Sequence, residues 1–142
     1  MLALVLCGVS RRWGTLWLTW IAVALADWAA AAIKAIVDRP RPFERYAQPE
    51  TLVPHSRDAS FPSGHASTSF AAATMLSLAF PPLAPALYLL AAAVAFSRVY
   101  VGVHYPLDVL AGAALGTLVA FALRAAVRAG RRRPIEDIEA GG

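Results

Sequence analysis

Apolar residues in this chain neither alternate nor recur on one helical face; they run in blocks, and the polar residues gather at the block ends. Four blocks stand out: Trp13 to Ile36, Ala66 to Phe80, Leu83 to Val101, and Leu107 to roughly Arg128. At 1.5 Å per residue, about 20 residues cross ~30 Å of hydrocarbon, and three of the four blocks supply that length. The second does so only if Phe61 to His65 extend it. Alanine dominates every block, and Gly112 with Gly116 forms a small-xxx-small pair that favours close helix packing. Pro81-Pro82 breaks the chain between the second and third blocks, since proline lacks the N–H and restricts its predecessor. Trp13, Trp17 and Trp20 suit a membrane interface, where an indole keeps one edge wet. The pattern predicts an all-α fold, an integral membrane helical bundle of about four transmembrane helices.

Composition agrees. At 142 residues the chain has the length of one domain, and its 58% hydrophobic content is too high for an ordinary soluble domain of that size. The net charge of +4 does not indicate a nucleic-acid partner, because the basic residues lie between and beside apolar blocks and form no surface stripe. Cys7 is the lone cysteine, so no intrachain disulfide exists, and no Cys/His cluster suggests a metal. The opening MLALVLCGV lacks the basic flank and cleavage site of a signal peptide, and at ~13 Å it is too short to cross. The polar stretch Val37 to Pro62 reads as a loop outside the hydrocarbon. Residues 1–130 are expected to form the membrane-embedded domain and 131–142 a flexible charged tail.

Arg11-Arg12 precede the first span and Arg131-Arg132-Arg133 follow the last. An even number of crossings puts both clusters on one face, the cytoplasmic one by the positive-inside rule, if the six cations of the other side are set aside because several of them read as site residues. The polar loop then faces the extracytoplasmic side of a bacterial-type plasma membrane.

Three polar groups fall at block ends that this topology brings to one face. KAIVDRPRP carries Lys34 and Arg41; SFPSGHAST carries Ser63, Gly64 and His65; SRVYVGVHYPLD carries Arg98, His104 and Asp108. Ionisable side chains are costly near a bilayer and mark function there. Three cations without an excess of carboxylates imply an anionic ligand. Pro62 suits the first turn of a helix whose free N–H groups at Ser63, Gly64 and His65 would receive a phosphate. If Pro106 opens the fourth helix, Asp108 lies about a turn in, where it can accept from His104 Nδ1 and leave Nε2 free to act as nucleophile or base.

Lys-x6-Arg-Pro, Pro-Ser-Gly-His and Ser-Arg-x5-His-x3-Asp, in this order, resemble the three signature motifs of the type 2 phosphatidic acid phosphatase family, whose superfamily includes undecaprenyl diphosphate phosphatases and vanadium haloperoxidases. The motifs run from Lys34 to Asp108. The resemblance implies a haloperoxidase-like helical core and a phosphatase acting on a lipid phosphate or diphosphate: polyprenyl diphosphate or phosphate, phosphatidate or phosphatidylglycerophosphate. It implies that His104 attacks phosphorus, that Asp108 orients it, and that His65 protonates the leaving oxygen and later activates water. By the same resemblance Lys34, Arg41, Arg98, Ser63 and the Gly64 amide hold the phosphoryl oxygens. No metal or other cofactor is required, because the cations neutralise the charge. A phosphotransferase using the same site and a non-catalytic membrane scaffold are the alternatives. Membrane members commonly carry about six helices, two of them before the Lys-Arg helix, so a truncated or misassigned start is expected here.

Other polar residues have blander readings. His55 reads as an exposed loop residue, and Asp27, mid-span, as a partner for a polar group on a neighbouring helix. Arg39, Arg45 and Arg57 read as solvated loop arginines outside the site. Tyr100 and Tyr105 either line the site or anchor the interface.

Overall fold

The computed structural model describes residues 13–45 and 58–139, with side chains through Arg131. Cys7 and the apolar start, Arg11-Arg12, His55 and Arg57 lie outside the described residues, as do the side chains of Arg132 and Arg133. The four apolar blocks become four helices: α1 Trp13–Val37, α2 Gly64–Ala79, α3 Ala84–Tyr100 and α4 Pro106–Glu139. A single helical turn, Pro42–Arg45, follows α1, and a 3-10 turn, Pro81–Leu83, joins α2 to α3 where the two prolines stop the helix. The protein is all-α, with no strand among the described residues. Pro106 opens α4 as expected, and α4 continues through residues 131–139, the segment read as a tail.

Three segments, Trp13–Arg45, Pro81–Tyr100 and Pro106–Arg131, are long and apolar enough to cross a membrane. The exception is α2, whose 16 residues extend only about 24 Å. It is also the helix that packs most extensively against the other three. Its buried side chains, Ala66, Ser67, Ala71, Ala73, Thr74, Met75 and Leu76, are mostly small. Lipid tails are as apolar as leucine, so helices in a bilayer associate through close packing instead of a hydrophobic drive. α2 meets that demand by exposing backbone to its neighbours.

The approach is closest along α4. A Cβ on Gly112 would lie 2.4 Å from the Ser63 carbonyl oxygen, and one on Gly116 would lie 1.9 Å from that of Ser67. Both distances exclude any side chain, so the small-xxx-small pair is the seam of α2 and α4. Larger groups fill the periphery of this seam. Leu16, Leu76 and Leu87 meet beside Phe70 and Tyr88, and Ala22, Ala26, Met75 and Ala120 meet beside Leu18 and Leu123. A side-chain hydrogen bond links α2 to α3 in the interior: Thr74 Oγ1, which donates to the Phe70 carbonyl of its own helix at 2.8 Å, is 3.0 Å from Tyr88 Oη. The large apolar side chains point outward, among them Trp17, Trp28, Leu89, Phe96 and Leu118, each about two-thirds exposed or more. That inside-out distribution matches hydrocarbon surroundings.

Two backbone turns aim the polar segments. After α1, Asp38 takes φ 42° and its N–H caps the Lys34 carbonyl at 3.0 Å, which reverses the chain and carries Arg39 and Arg41 back over the bundle end. The left-handed region is one that aspartate tolerates better than most residues. After α3, Gly102 takes φ 77°, and the N–H groups of Val103 and His104 both reach the Arg98 carbonyl at 3.2 Å. Arg98 and His104 therefore share one tight turn.

Candidate active site

The ends of all four helices that carry motif residues meet at one rim: the C-termini of α1 and α3 and the N-termini of α2 and α4. There a cavity of about 540 Å³ is lined by Asp27, Ala30, Ala31, Lys34, Arg41, Asp58, Gly64, His65, Thr68, Arg98, Val103 and His104. Three cations and two imidazoles, distant in sequence, thus border a single space. Ser63 and Asp108 lie behind its wall, fully buried.

Arg41 is the best anchored of the cations. Its Nε donates to the Asp58 carbonyl at 2.9 Å, Nη1 to the Val103 carbonyl at 3.1 Å and Nη2 to Asp58 Oδ1 at 2.7 Å. The fork therefore ties the turn after α1 to the segment before α2 and to the residue preceding His104. Lys34 Nζ bonds the other carboxylate oxygen, Asp58 Oδ2. The cavity thus holds a carboxylate between two of its cations, and that side chain is half exposed while those of Lys34 and Arg41 are largely covered. Arg98 bonds only its neighbour Ser97, through Nε at 3.2 Å, so its terminal nitrogens have no hydrogen-bond partner among the described residues.

His104 sits in the turn between the spans, 4% exposed. Its Nδ1 is 3.6 Å from Asp108 Oδ2 and makes no hydrogen bond among the described residues. The pair expected from the spacing is therefore adjacent but slightly open. Burial, then Arg41, then Lys34 push the imidazole down to about 4, outweighing the opposite pull of Asp108 and of the Ser60 carbonyl. A neutral ring at pH 7 follows, with its lone pair available.

Asp108 has better-formed partners than His104. Arg39 Nη1 donates to Oδ1 at 2.8 Å, the Tyr105 N–H donates to Oδ2 at 2.9 Å, and Ser60 Oγ donates to Oδ2. Arg39 also lies over the Tyr105 ring, 4.1 Å from its centroid. Arg39, Ser60 and Asp58 are the site residues that reading the sequence missed. Arg39 reads in the sequence as a solvated loop arginine, whereas it reaches the buried carboxylate through the turn at Asp38. A signal existed: Arg39 lies within the spacer of the first motif, and Ser60 lies two residues before the second.

Two expectations change. Helix α2 begins at Gly64, with Ser63 as its N-cap, so Pro62 precedes the helix and does not occupy its first turn. The Ser63 N–H is not free for a ligand, since it donates to the Asp108 carbonyl at 2.9 Å, while Ser63 Oγ accepts from the Ala66 N–H at 3.4 Å. Ser63 thus docks α2 onto α4, and Gly64 and His65 are the residues of this motif that reach the cavity. Asp27 has no hydrogen bond or ion pair among the described residues; it faces the cavity, with Oδ1 3.7 Å from where a Cβ on Gly64 would stand. Arg45 remains an exposed residue of the short turn. Among the described residues no three His, Cys, Asp or Glu side chains gather as a metal site would need.

Fold and cavity together define an integral membrane helical protein with a cation-walled site at one end of its bundle. The family model described as the PAP2 superfamily matches residues 2–132. The chain belongs to that superfamily. It is 39% identical over 107 residues to an undecaprenyl-diphosphatase of Sulfolobus acidocaldarius, covering 75% of this chain and 50% of that one. It is 41% identical over 100 residues to a decaprenylphosphoryl-5-phosphoribose phosphatase of Mycolicibacterium smegmatis, covering 66% and 52%. The crystal structure of Aquifex aeolicus LpxE superposes with a TM-score of 0.74 at 29% identity, over 84% of this chain and 72% of that one. The chain spans about half the length of the curated relatives it matches.

Proposed function

We propose that this chain carries the active site of a membrane phosphatase that hydrolyses a lipid phosphate or diphosphate through a phosphohistidine. The observation that carries the proposal is the gathering of Lys34, Arg41, Arg98, His65 and His104 around one cavity at the rim of a membrane-embedded bundle. Phosphoryl transfer needs positioning and charge neutralisation above all, and these residue types supply both.

In the proposed reaction Lys34, Arg41 and Arg98, with the Gly64 amide, take the non-bridging oxygens. His104 Nε2 attacks phosphorus while the bond to the lipid oxygen breaks; His65, whose pKa is lowered by burial and then by Arg98, Lys34 and Arg41, takes up a proton as the phosphoryl charge offsets those cations, and gives it to that oxygen. Asp108 accepts from Nδ1–H as positive charge grows on the ring, closing the 3.6 Å gap. Water, deprotonated by His65, then attacks the phosphohistidine; inorganic phosphate leaves and both histidines return to their starting states. Ser63 takes no part beyond capping α2 and docking it on α4.

The lipid enters sideways, with its tail in the bilayer and its phosphate at the rim. A polyprenyl carrier is the substrate we favour, supported by two relatives named for undecaprenyl diphosphate and a decaprenylphosphoryl sugar. The rim faces the extracytoplasmic side of a bacterial plasma membrane, a placement supported by Arg128 and Arg131 at the opposite end of α4. Purified protein in detergent, given polyprenyl diphosphate, polyprenyl phosphate, phosphatidate and phosphatidylglycerophosphate, releases inorganic phosphate, fastest from a polyprenyl substrate, and EDTA leaves the rate unchanged. Absence of release from all four, or its loss in EDTA, contradicts the proposal.

A further inference from the structure

We infer that Arg39 is a positioning residue for the proposed reaction, holding the Asp108 carboxylate in the one orientation that presents Oδ2 to His104 Nδ1. The inference rests on the phosphatase proposal for its kinetic part and on the geometry alone for the rest.

Asp108 is fully buried in the first turn of α4, where an unpartnered carboxylate would be costly. Both bonds from Tyr105 N–H and Ser60 Oγ fall on Oδ2, the oxygen nearest the imidazole. With these alone the carboxylate could pivot about Oδ2. The Arg39 bond to Oδ1 removes that freedom and fixes the carboxylate plane.

Arg39 is itself held. Its guanidinium stacks over Tyr105, the residue between His104 and α4. Its carbonyl accepts the Ser60 N–H at 2.8 Å, so two of Asp108's partners, Arg39 and Ser60, are tied to each other. None of Arg39, Ser60 or Asp108 borders the cavity, so Arg39 acts through Asp108 and not on the bound phosphate. A lysine could carry the charge but not the planar stack and the fixed fork.

Charge follows the same path. The groups facing His104 and the cavity it borders are Asp27 and Lys34 from α1, Arg41 and Asp58 from the loops, His65 from α2, Arg98 from α3 and Asp108 from α4. Of the three carboxylates, Asp27 acts on His65 and Asp58 is bonded to Lys34 and Arg41, which leaves Asp108 as the one that pulls a proton onto the His104 ring. Arg39 offsets its charge. Removing Arg39 leaves that pull unopposed, favours imidazolium and takes away the lone pair that attacks phosphorus.

The test compares Arg39→Gln and Arg39→Lys with the parent, as purified full chains in detergent, by phosphate release and by nitrogen-15 NMR of His104. For Arg39→Gln, kcat falls about tenfold to a hundredfold with KM nearly unchanged, since misorientation and not binding is affected. The acid limb of its rate profile and the titration of the His104 ring both move up by about one pH unit. Arg39→Lys loses part of kcat and keeps the parental limb. Arg39→Met, uncharged and of similar length, gives the same readouts should the amide fail to fold. An unmoved His104 titration in a folded, uncharged variant overturns the inference, as does a KM rise with unchanged kcat. The NMR arm needs no substrate, so a parent that releases no phosphate refutes the proposed function separately.

Discussion

The centre and the rim of this bundle are built on opposite principles. At the centre α2 and α4 meet through missing side chains: Gly112 and Gly116 lie on the carbonyls of Ser63 and Ser67, and alanines fill most of the remaining seam. At the rim the same two helices are joined through side chains and polar backbone, with Asp108, Ser60, Ser63, Arg39 and Arg41 linking segments up to 69 residues apart. The centre tolerates no added atom, and the rim tolerates no lost donor. Changes at the two places should therefore fail differently, one in folding and the other in chemistry.

The sharpest break comes from His104→Ala, which is expected to lower phosphate release by about a thousandfold or more while thermal unfolding in detergent stays near that of the parent. A variant that retains a tenth of the rate would remove His104 from the chemistry. At the centre, Gly116→Val forces its side chain into the Ser67 carbonyl and should cost about 3 kcal/mol or more, read as loss of monodisperse protein on size exclusion. Normal yield and melting would mean that the seam opens without penalty.

A smaller effect is expected from Arg41→Lys, which keeps a charge but forfeits bonds to the Asp58 carbonyl, the Val103 carbonyl and Asp58 Oδ1. It should lower kcat/KM about tenfold, and near-parental kinetics would show that a point charge suffices. The mildest change is Asp58→Asn. This carboxylate sits where an incoming phosphoryl group must go, and a half-exposed pair is worth little, so orthovanadate should inhibit the variant about threefold more tightly than the parent. Weaker inhibition would instead make Asp58 a support for the two cations.

The centre was easier to read from the sequence than the rim. Hydropathy blocks set the four helices within a few residues at every end but the C-terminus of α4, which runs on to Glu139, because a bilayer imposes a length and a composition on each crossing. The glycine pair announced the α2–α4 seam for the same reason. At the rim, motif spacing brought Lys34, Arg41, His65, Arg98 and His104 to one cavity. It did not reveal their supports. Arg39 looks like any loop arginine until Asp38 adopts a left-handed turn, and Asp58 lies 24 residues from the lysine it bonds. Ser63 was read as a ligand for phosphate because a helix N-terminus offers free N–H groups; its own N–H is instead consumed by the Asp108 carbonyl, a contact set by how closely α4 approaches. Such pairings depend on tertiary proximity, which no local pattern encodes.

The central claim is that His104 takes the phosphoryl group at this rim. Rapid quenching of the purified protein with phosphorus-32-labelled lipid phosphate, followed by digestion under alkaline conditions and mass spectrometry, tests it directly. The account predicts an acid-labile, alkali-stable label on the peptide containing His104, absent from His104→Ala. An active parent that carries no label, or a label on His65, would contradict it.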